Sequence, residues 1–450
     1  MDRAEEQVAI IREVFRYAQV FQNRTFVLQL DDTISTCASF RSMIRDLALL
    51  HRNGIRIVLV AGASSRIDEV LTRYGVDTET YRGVRISSAE AIPFINMAAF
   101  DVANRIMTLL SGHGVNAVIG NWIRAKSLGV IDGVDYEDAG VVSRIRADLL
   151  QGVIEQGTVP ILPCIGWSAS GRSYNLSSRE LAVELSIALA VDKLFFVTTG
   201  DALSTEAYRK DEDIDASSTG RVSRLNVDQA ERFLADNQPE TSRGEDDVTL
   251  ELIRLGLRAA KGGIDRVHIV DGCTEGVILQ EIFSNLGVGL MVHADRYHSI
   301  RAMTRQDVSD VLQLMRPLIA QGILVRRTED DLYARLEDYV VFETDGIIHG
   351  CGALHRYADN AGEIAGVAID EKSAHLGIGM RIVTYLLGLA RNGGLSRVFV
   401  LTTQTSDWFE QLGFRPGSLD DLPKERQAHY DHRRKSRILL YSPQTGEPPE

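Results

Sequence analysis

Cysteine is scarce in this 450-residue chain: Cys37, Cys164, Cys273 and Cys351 stand far apart, with no C-x-x-C pair. That usage predicts free thiols in a reducing cytoplasm. The histidines are likewise scattered without metal-ligand spacing, so no metal is expected. Long apolar runs are missing too. No stretch of about 18 apolar residues occurs, and the opening "MDRAEEQVAIIREV" has no signal-peptide character, so neither a membrane partner nor export is expected. An excess of cation is also absent. The net charge is −13, which argues against nucleic acid as the main partner, because phosphate contacts are made by Lys and Arg.

What remains is ordinary globular usage, 44% apolar and 25% charged, on a chain long enough for two or three domains. Apolar positions from Val8 to Phe21 recur at helical spacing, so an amphipathic helix is expected over residues 6–22. The runs "RTFVLQL", "IRIVLVAG", "TVPILPCIGW", "DKLFFVTT" and "DRVHIVDG" read as strands separated by helical patterns such as "SSRELAVELSIALAV". Alternation of this kind predicts an α/β domain with a mostly parallel sheet covered on both faces. Residues 207–247 are polar and acidic, a surface excursion with a short helix around Val227 to Leu234. The pattern stops near residue 292, and a second unit opens with a capping box at Thr304 and Asp307. Three strands with tight turns follow, then a helix from Gly379 and the strand "SRVFVLTT". The expected domains are 1–291 and 297–450.

Two local features carry chemistry. The first strand ends in Asp31 and Asp32, where nucleotide-binding α/β domains place glycines around phosphate; two carboxylates there repel it. In the second unit, "GEIAGVAIDEKSAHLGIGMRIVTYLL" is a strand, a glycine-containing turn and a helix N-terminus, an arrangement able to bind pyrophosphate through backbone N–H groups. On its own, a G-x-G is more often a structural turn.

The order and spacing of this second unit resemble the GNAT superfamily of acetyl-CoA-dependent acetyltransferases. "GILVRRTEDDL", "GEIAGVAI", "GLSRVFVLTTQTSDWFEQLGF" and "RRKSRILL" resemble the second half of the bacterial N-acetylglutamate synthase family. "GIRIVLVAGASSRID", "SLGVIDGVDYEDAGVVSRI", "SYNLSSRELAVELSIAL" and "ILQEIFSNLGVG" resemble its amino-acid-kinase-like first half. The resemblance implies an acetyl-CoA-dependent N-acetyltransferase acting on the α-amine of glutamate in arginine biosynthesis. It implies a first domain without kinase chemistry, arginine as an effector, and a homo-oligomer, by family a hexamer.

It also implies site residues. Glu363 is the general base and Thr402 the donor to the departing thiolate; Val367 and Ile369 hold the thioester carbonyl through backbone. His375, Gly377, Ile378, Gly379 and Met380 form the coenzyme A cradle. Arg326 (with Arg327 beside it), Arg434 and Ser436 match the substrate-carboxylate positions, and Phe21, Lys261, Asp271 and Glu281 the effector positions. Ala374 replaces the first residue of the cradle pattern, Gln404 an Arg or Asn, Asp407 a His, and Phe21 a Tyr. Ala374, Gln404 and Asp407 keep open a paralogue acetylating another amino acid, and Asp31 and Asp32 a non-catalytic amino-acid sensor.

Overall fold

The computed structural model describes residues 19–200, 208–211, 214, 221–237, 247–283, 288–294, 299–344, 347–370 and 377–443. Most of the helix expected over 6–22, together with Ala374 and His375, lies outside them. The chain divides into two compact units, Met1–Arg296 and Tyr297–Glu450. Among the described residues no helix is long and apolar enough to cross a membrane.

Eight strands form the main sheet of the first unit, in the order Arg224–Asn226, Leu290–His293, Arg266–Asp271, Lys193–Thr198, Thr25–Leu30, Arg56–Ala61, Val159–Pro163, Ala117–Ile119. Neighbours are parallel except Arg266–Asp271 against Leu290–His293. Parallel neighbours require crossovers, which helices such as Phe40–Arg52 and Ser178–Leu189 supply. Helices on the faces explain why Thr25–Leu30 and Arg56–Ala61 are apolar without alternation. The run "TVPILPCIGW", read as one strand, is two. It breaks at Cys164, and Ile165–Trp167 leaves to join a four-stranded sheet with Ser173–Asn175, Ile123–Ser127 and Gly140–Ile145.

The expectation of free thiols is corrected at two positions. Cys37 and Cys273 are joined in a disulfide, with Cα atoms 5.2 Å apart across 236 residues of sequence. The cause is topological: Thr25–Leu30 and Arg266–Asp271 point the same way in the sheet, so the loops that follow them emerge at the same end. Cys164 and Cys351 are free and buried.

The second unit is a seven-stranded sheet, Ser299–Ala302, Tyr339–Thr344, Ile347–Arg356, Ala361–Ile369, Arg397–Thr402, Arg437–Tyr441, Arg415–Pro416. The first four strands form the antiparallel meander. Helix Val308–Ala320 covers one face and helix Ile378–Asn392 the other, so successive residues of one strand enter different cores. Tyr339 and Val341 pack with Val311 and Met315, whereas Val340 and Phe342 pack with Ile382 and Leu386. Each such fully buried side chain contributes about 1.5–3 kcal/mol of transfer free energy. The capping box forms at Thr304, where Asp307 accepts from the Thr304 N–H at 2.7 Å and opens a short 3-10 turn ahead of Val308–Ala320.

One buried pair gives the first unit a titration of its own. His268 stacks on Phe195 at 4.6 Å, and its Nδ1 lies 2.7 Å from Glu281 Oε1. Glu281 Oε2 also accepts from the backbone N–H groups of Val288 (2.7 Å) and Gly289 (2.9 Å). Burial pushes the imidazole down to about 4. Burial alone would raise the carboxyl, but the His268 hydrogen bond and the two N–H groups outweigh it and hold Glu281 at about 2. Between pH 6.5, the ordinary imidazole value, and 4 the unfolded chain therefore binds a proton that folded His268 refuses. Stability is lost as pH falls through that window, with Glu281 adding to the loss below its ordinary 4.5. Calorimetric scans should show the midpoint of the first unit falling from pH 6.5 to 4, with a shallower slope in His268→Asn. Equal slopes would show that this imidazole does not titrate on unfolding.

Candidate functional site

The site is built where two parallel strands part. Ala361–Ile369 pairs with Arg397–Thr402 only over Ala361 to Ile364, opposite Arg397 to Val400. On its other edge the same strand carries a bulge against Ile347–Arg356, where the register jumps between Cys351–Ala368 and Ala353–Ala365. Gly366 supplies the bulge with φ 61°, a left-handed conformation unfavourable to a side chain. A Cβ there would stand 3.2 Å from Met315 Cε and 3.4 Å from the Tyr339 hydroxyl. That hydroxyl is buried and, among the described residues, has no hydrogen-bond partner. An orphaned polar atom facing the bulge marks the place where a polar ligand group fits.

Beyond the bulge, Val367 and Ile369 are half-buried at the open strand end. Gly377, at φ 64°, is the N-cap of helix Ile378–Asn392, and among the described residues no side chain caps the first N–H groups. Gly379 lets the helix approach: a Cβ there would lie 2.7 Å from Ile369 Cδ1 and 3.3 Å from Trp408. Ile378 is buried and Met380 exposed. A helix N-terminus without a side-chain cap, packed against an opened strand, suits an anionic group whose remainder runs between the parted strands.

Glu363 lies in the last stretch of pairing before the strands separate, opposite His355 on one side and Phe399 on the other. Only 6% of it is exposed. Its carboxylate is held by Arg426, with Nε donating to Oε2 at 2.8 Å and Nη2 to Oε1 at 3.1 Å, and by the Tyr357 hydroxyl, donating to Oε2 at 2.7 Å. Burial, followed by the adjacent carboxylate, raises the Tyr357 phenol well above its ordinary value, so it stays a donor. Burial works against the Arg426 charge, and the Glu363 carboxylate more than restores it. Across the strand, His355 Nδ1 is 2.7 Å from Asp338 Oδ2, and Nε2 is 3.4 Å from Arg327 Nη1. An arginine cannot accept, so Nε2 is the acceptor and the proton is assigned to Nδ1, facing Asp338. Arg327 also covers the Tyr339 ring at 5.4 Å.

The expected residues fall into different surroundings. Of the pair in "LVRR", Arg327 turns inward, and Arg326 is exposed. Arg434 donates from Nη2 to the carbonyls of Gly322 (3.1 Å) and Ile323 (2.9 Å), closing the end of helix Val308–Ala320. Ser436 accepts the Tyr430 hydroxyl on its carbonyl at 2.7 Å. The Thr402 hydroxyl accepts from the Thr405 N–H at 3.0 Å, capping the turn into Ser406–Gln411. Tyr357, Arg426, His355 and Asp338 were missed from sequence. His355 shares the inward face of its strand with Cys351 and Ala353, the one signal that could have flagged it.

In the first unit, Asp31 Oδ2 meets Arg179 Nη2 at 2.8 Å, and Arg179 Nη1 meets Glu251 at 2.6 Å. Asp32 accepts the Arg66 backbone N–H at 2.7 Å, in the first turn of helix Ser64–Tyr74. Burial, with Asp31 nearby, raises the Asp32 carboxyl. The phosphate position is thus filled by side chains of the chain itself. Lys193 lies 4.5 Å from the centre of the Phe21 ring and neighbours Arg266 across the ladder, beside the His268–Glu281 pair. Phe21 and Glu281 are therefore gathered around Lys193. Lys261 is exposed and paired with Glu231, and Asp271 accepts the Cys273 N–H at 2.9 Å within its own turn.

Residues 25–271 match the amino acid kinase family and residues 309–414 the acetyltransferase (GNAT) family. An amino-acid acetyltransferase of Edwardsiella ictaluri is 32% identical over 98% of this chain and 99% of its own. The chain belongs to the amino-acid acetyltransferase family. Two crystal structures of N-acetylglutamate synthase from Neisseria gonorrhoeae are similar over 97% of this chain and 99% of theirs. The one complexed with coenzyme A and L-arginine superposes with a TM-score of 0.81 at 29% identity. The one with coenzyme A and N-acetyl-glutamate gives 0.59 at 30%. The enzyme is thus an amino-acid-kinase-like domain followed by a GNAT domain, as the resemblance implied.

Removing one member of a largely buried ion pair leaves the other charge uncompensated, which is costly. Arg426→Ala should destabilise the second unit by about 2–3 kcal/mol, below the usual cost because Arg426 is partly solvated. Adding Glu363→Gln should recover part of that loss. Denaturant unfolding of the single and double variants reads the coupling; strictly additive losses would mean the pair is not interacting.

Proposed function

We propose that the enzyme transfers acetyl from acetyl-CoA to the α-amine of L-glutamate. The observation that carries the reading is a buried carboxylate, Glu363, gripped by an arginine fork at the point where the strands open. When bound, acetyl-CoA supplies an acetyl group on a thioester; backbone at Val367 and Ile369 and the first turn from Gly377 to Met380 are the groups that would hold it. An amino acid's α-amine is mostly ammonium at neutral pH. A carboxylate within reach, directly or through water, accepts the proton that attack requires.

With Arg426 on it, Glu363 already has its oxygens occupied. An acceptor bearing its own carboxylates competes for that guanidinium, and Glu363 is released as the acceptor binds. Arg–carboxylate forks are exchangeable in this way because both partners present the same geometry. An acidic amino acid, with two carboxylates, suits Arg426 together with Arg326, Arg327 and Arg434. Thr402 is positioned near the strand end as a hydroxyl donor for the leaving thiolate, released from its turn.

Thiol release from acetyl-CoA, measured across all twenty amino acids, should be fastest with glutamate. A faster rate with another acceptor would move the assignment to that amino acid. Glu363→Gln should lower kcat roughly 10²–10⁴-fold, the usual worth of a general base, while acetyl-CoA affinity by calorimetry stays unchanged. Near-parental turnover would remove Glu363 from the role.

L-Arginine is the proposed effector, taken up by the first unit where Lys193, Phe21 and Glu281 gather. Arginine inhibits only as far as it prefers the less active arrangement. Phe21 lacks the phenol hydroxyl of related enzymes, so inhibition should be weak, in the millimolar range (on the order of 4 kcal/mol of binding). Phe21→Tyr should strengthen it up to about tenfold. No change of activity or thermal midpoint with saturating arginine, in parent or Phe21→Tyr, would end the regulatory reading.

A further inference from the structure

Two of the four cysteines are open to reagents and two are closed. Cys164 and Cys351 are buried, and burial pushes each thiol up to about 12, so neither offers thiolate at neutral pH. Cys273 is exposed and Cys37 half-buried. Their Cα atoms are 5.2 Å apart, within the roughly 4.4–6.8 Å that a disulfide spans. The loops that carry them are also tied without sulfur. Ser39 Oγ donates to the Gly272 carbonyl at 2.7 Å, and Ser42 Oγ to Glu275 Oε2 at 2.7 Å. The two cysteines therefore stay neighbours when the bond between them is open.

We propose that Cys37 and Cys273 form a reversible thiol–disulfide modification site, exchanged with a low-molecular-weight disulfide such as glutathione disulfide. One cysteine thiolate attacks a sulfur of that disulfide, breaking its S–S bond and releasing one thiol. The second cysteine attacks the mixed disulfide, forms the internal S–S bond and releases the other thiol. The protein gives up two protons and two electrons, and the small disulfide receives both. Reduction reverses the exchange.

The bond joins two places that matter to the first unit. Cys37 follows the turn Asp32–Thr36, directly after the paired aspartates. Cys273 precedes helix Val277–Phe283, whose Glu281 holds His268 and the backbone of Val288 and Gly289. Oxidation thus adds a covalent tie between the loop that leads into the Glu281 helix and the loop after the first strand. Reduction leaves those loops on the Ser39–Gly272 and Ser42–Glu275 hydrogen bonds, with the helix still packed through Val277, Ile278 and Ile282. This inference stands independently of substrate and effector.

Full-length parent, Cys37→Ser and Cys273→Ser are equilibrated in glutathione buffers of graded redox poise, then labelled under native conditions with a maleimide polymer. Reduced parent should take two labels and oxidised parent none, running as one chain on a non-reducing gel. Each single variant should take one label when reduced and carry one glutathionyl group, by intact mass, when oxidised. Hydrogen exchange over residues 271–283 should slow on oxidation of the parent and not of the variants. Two labels persisting after oxidation, or a cross-link between chains, would overturn the site. Redox-independent exchange would overturn the clamp.

Discussion

Pairing between two parallel strands stops after Ile364, and the second unit is arranged around that stop. Backbone polar groups inside a protein need partners, so strands that part leave positions only a ligand, water or another element can complete. The bulge at Gly366 turns the strand at this place, and Gly379 lets the helix N-terminus come up against its far end. A branched residue at Gly379 would push the helix away from Ile369 and Trp408, and one at Gly366 would press on Met315 and the Tyr339 hydroxyl. Glu363, two residues before Ala365, is still in the paired part and is held rigid by it. The Glu363 carboxylate thus belongs to the regular sheet, and Val367 and Ile369 belong to the irregular end.

Both units bury carboxylates, and they handle them differently. Glu363 is met by an arginine fork and a phenol, and its surroundings include a second, half-buried cation, Arg327. Such a cluster keeps two half-buried guanidinium groups close to one carboxylate. Glu281 is met by a neutral imidazole and two backbone N–H groups, which keep it charged without any mobile cation as direct partner. The first arrangement favours turnover of partners and the second fixes a framework.

How far the sequence discloses this depends on range. Strand and helix identities were legible because β-branched runs and 3.6-residue periodicity are local, and Thr304–Asp307 capped its turn as read. Glu363 and the turn from Gly377 were legible through family resemblance, since contiguous motifs carry them. Arg426 was not: it lies 63 residues from Glu363, in "LPKERQAHY", a charged stretch that reads as a solvated helix. Cys37 and Cys273 were missed for the same reason, since spacing rules see neighbours in sequence and the sheet joins residues 236 apart. That Arg434 donates to the carbonyls of Gly322 and Ile323 was hidden too, because the contact spans more than a hundred residues. The break at Cys164 was hidden because both halves of its run are equally apolar and differ only in the sheet they join.

The aspartates after the first strand carry a consequence for what this domain could become. Asp32 occupies a helix N-terminus as a resident anion, and Asp31 shares Arg179 with Glu251. A lysine or glycine at Asp31 would leave Arg179 with Glu251 alone, and one at Asp32 would leave the Arg66 N–H without its acceptor. Several coordinated substitutions would be needed before a phosphate could be held there. The two aspartates are in that sense interlocked with their surroundings: each is a structural partner, and changing one obliges its partner to change as well.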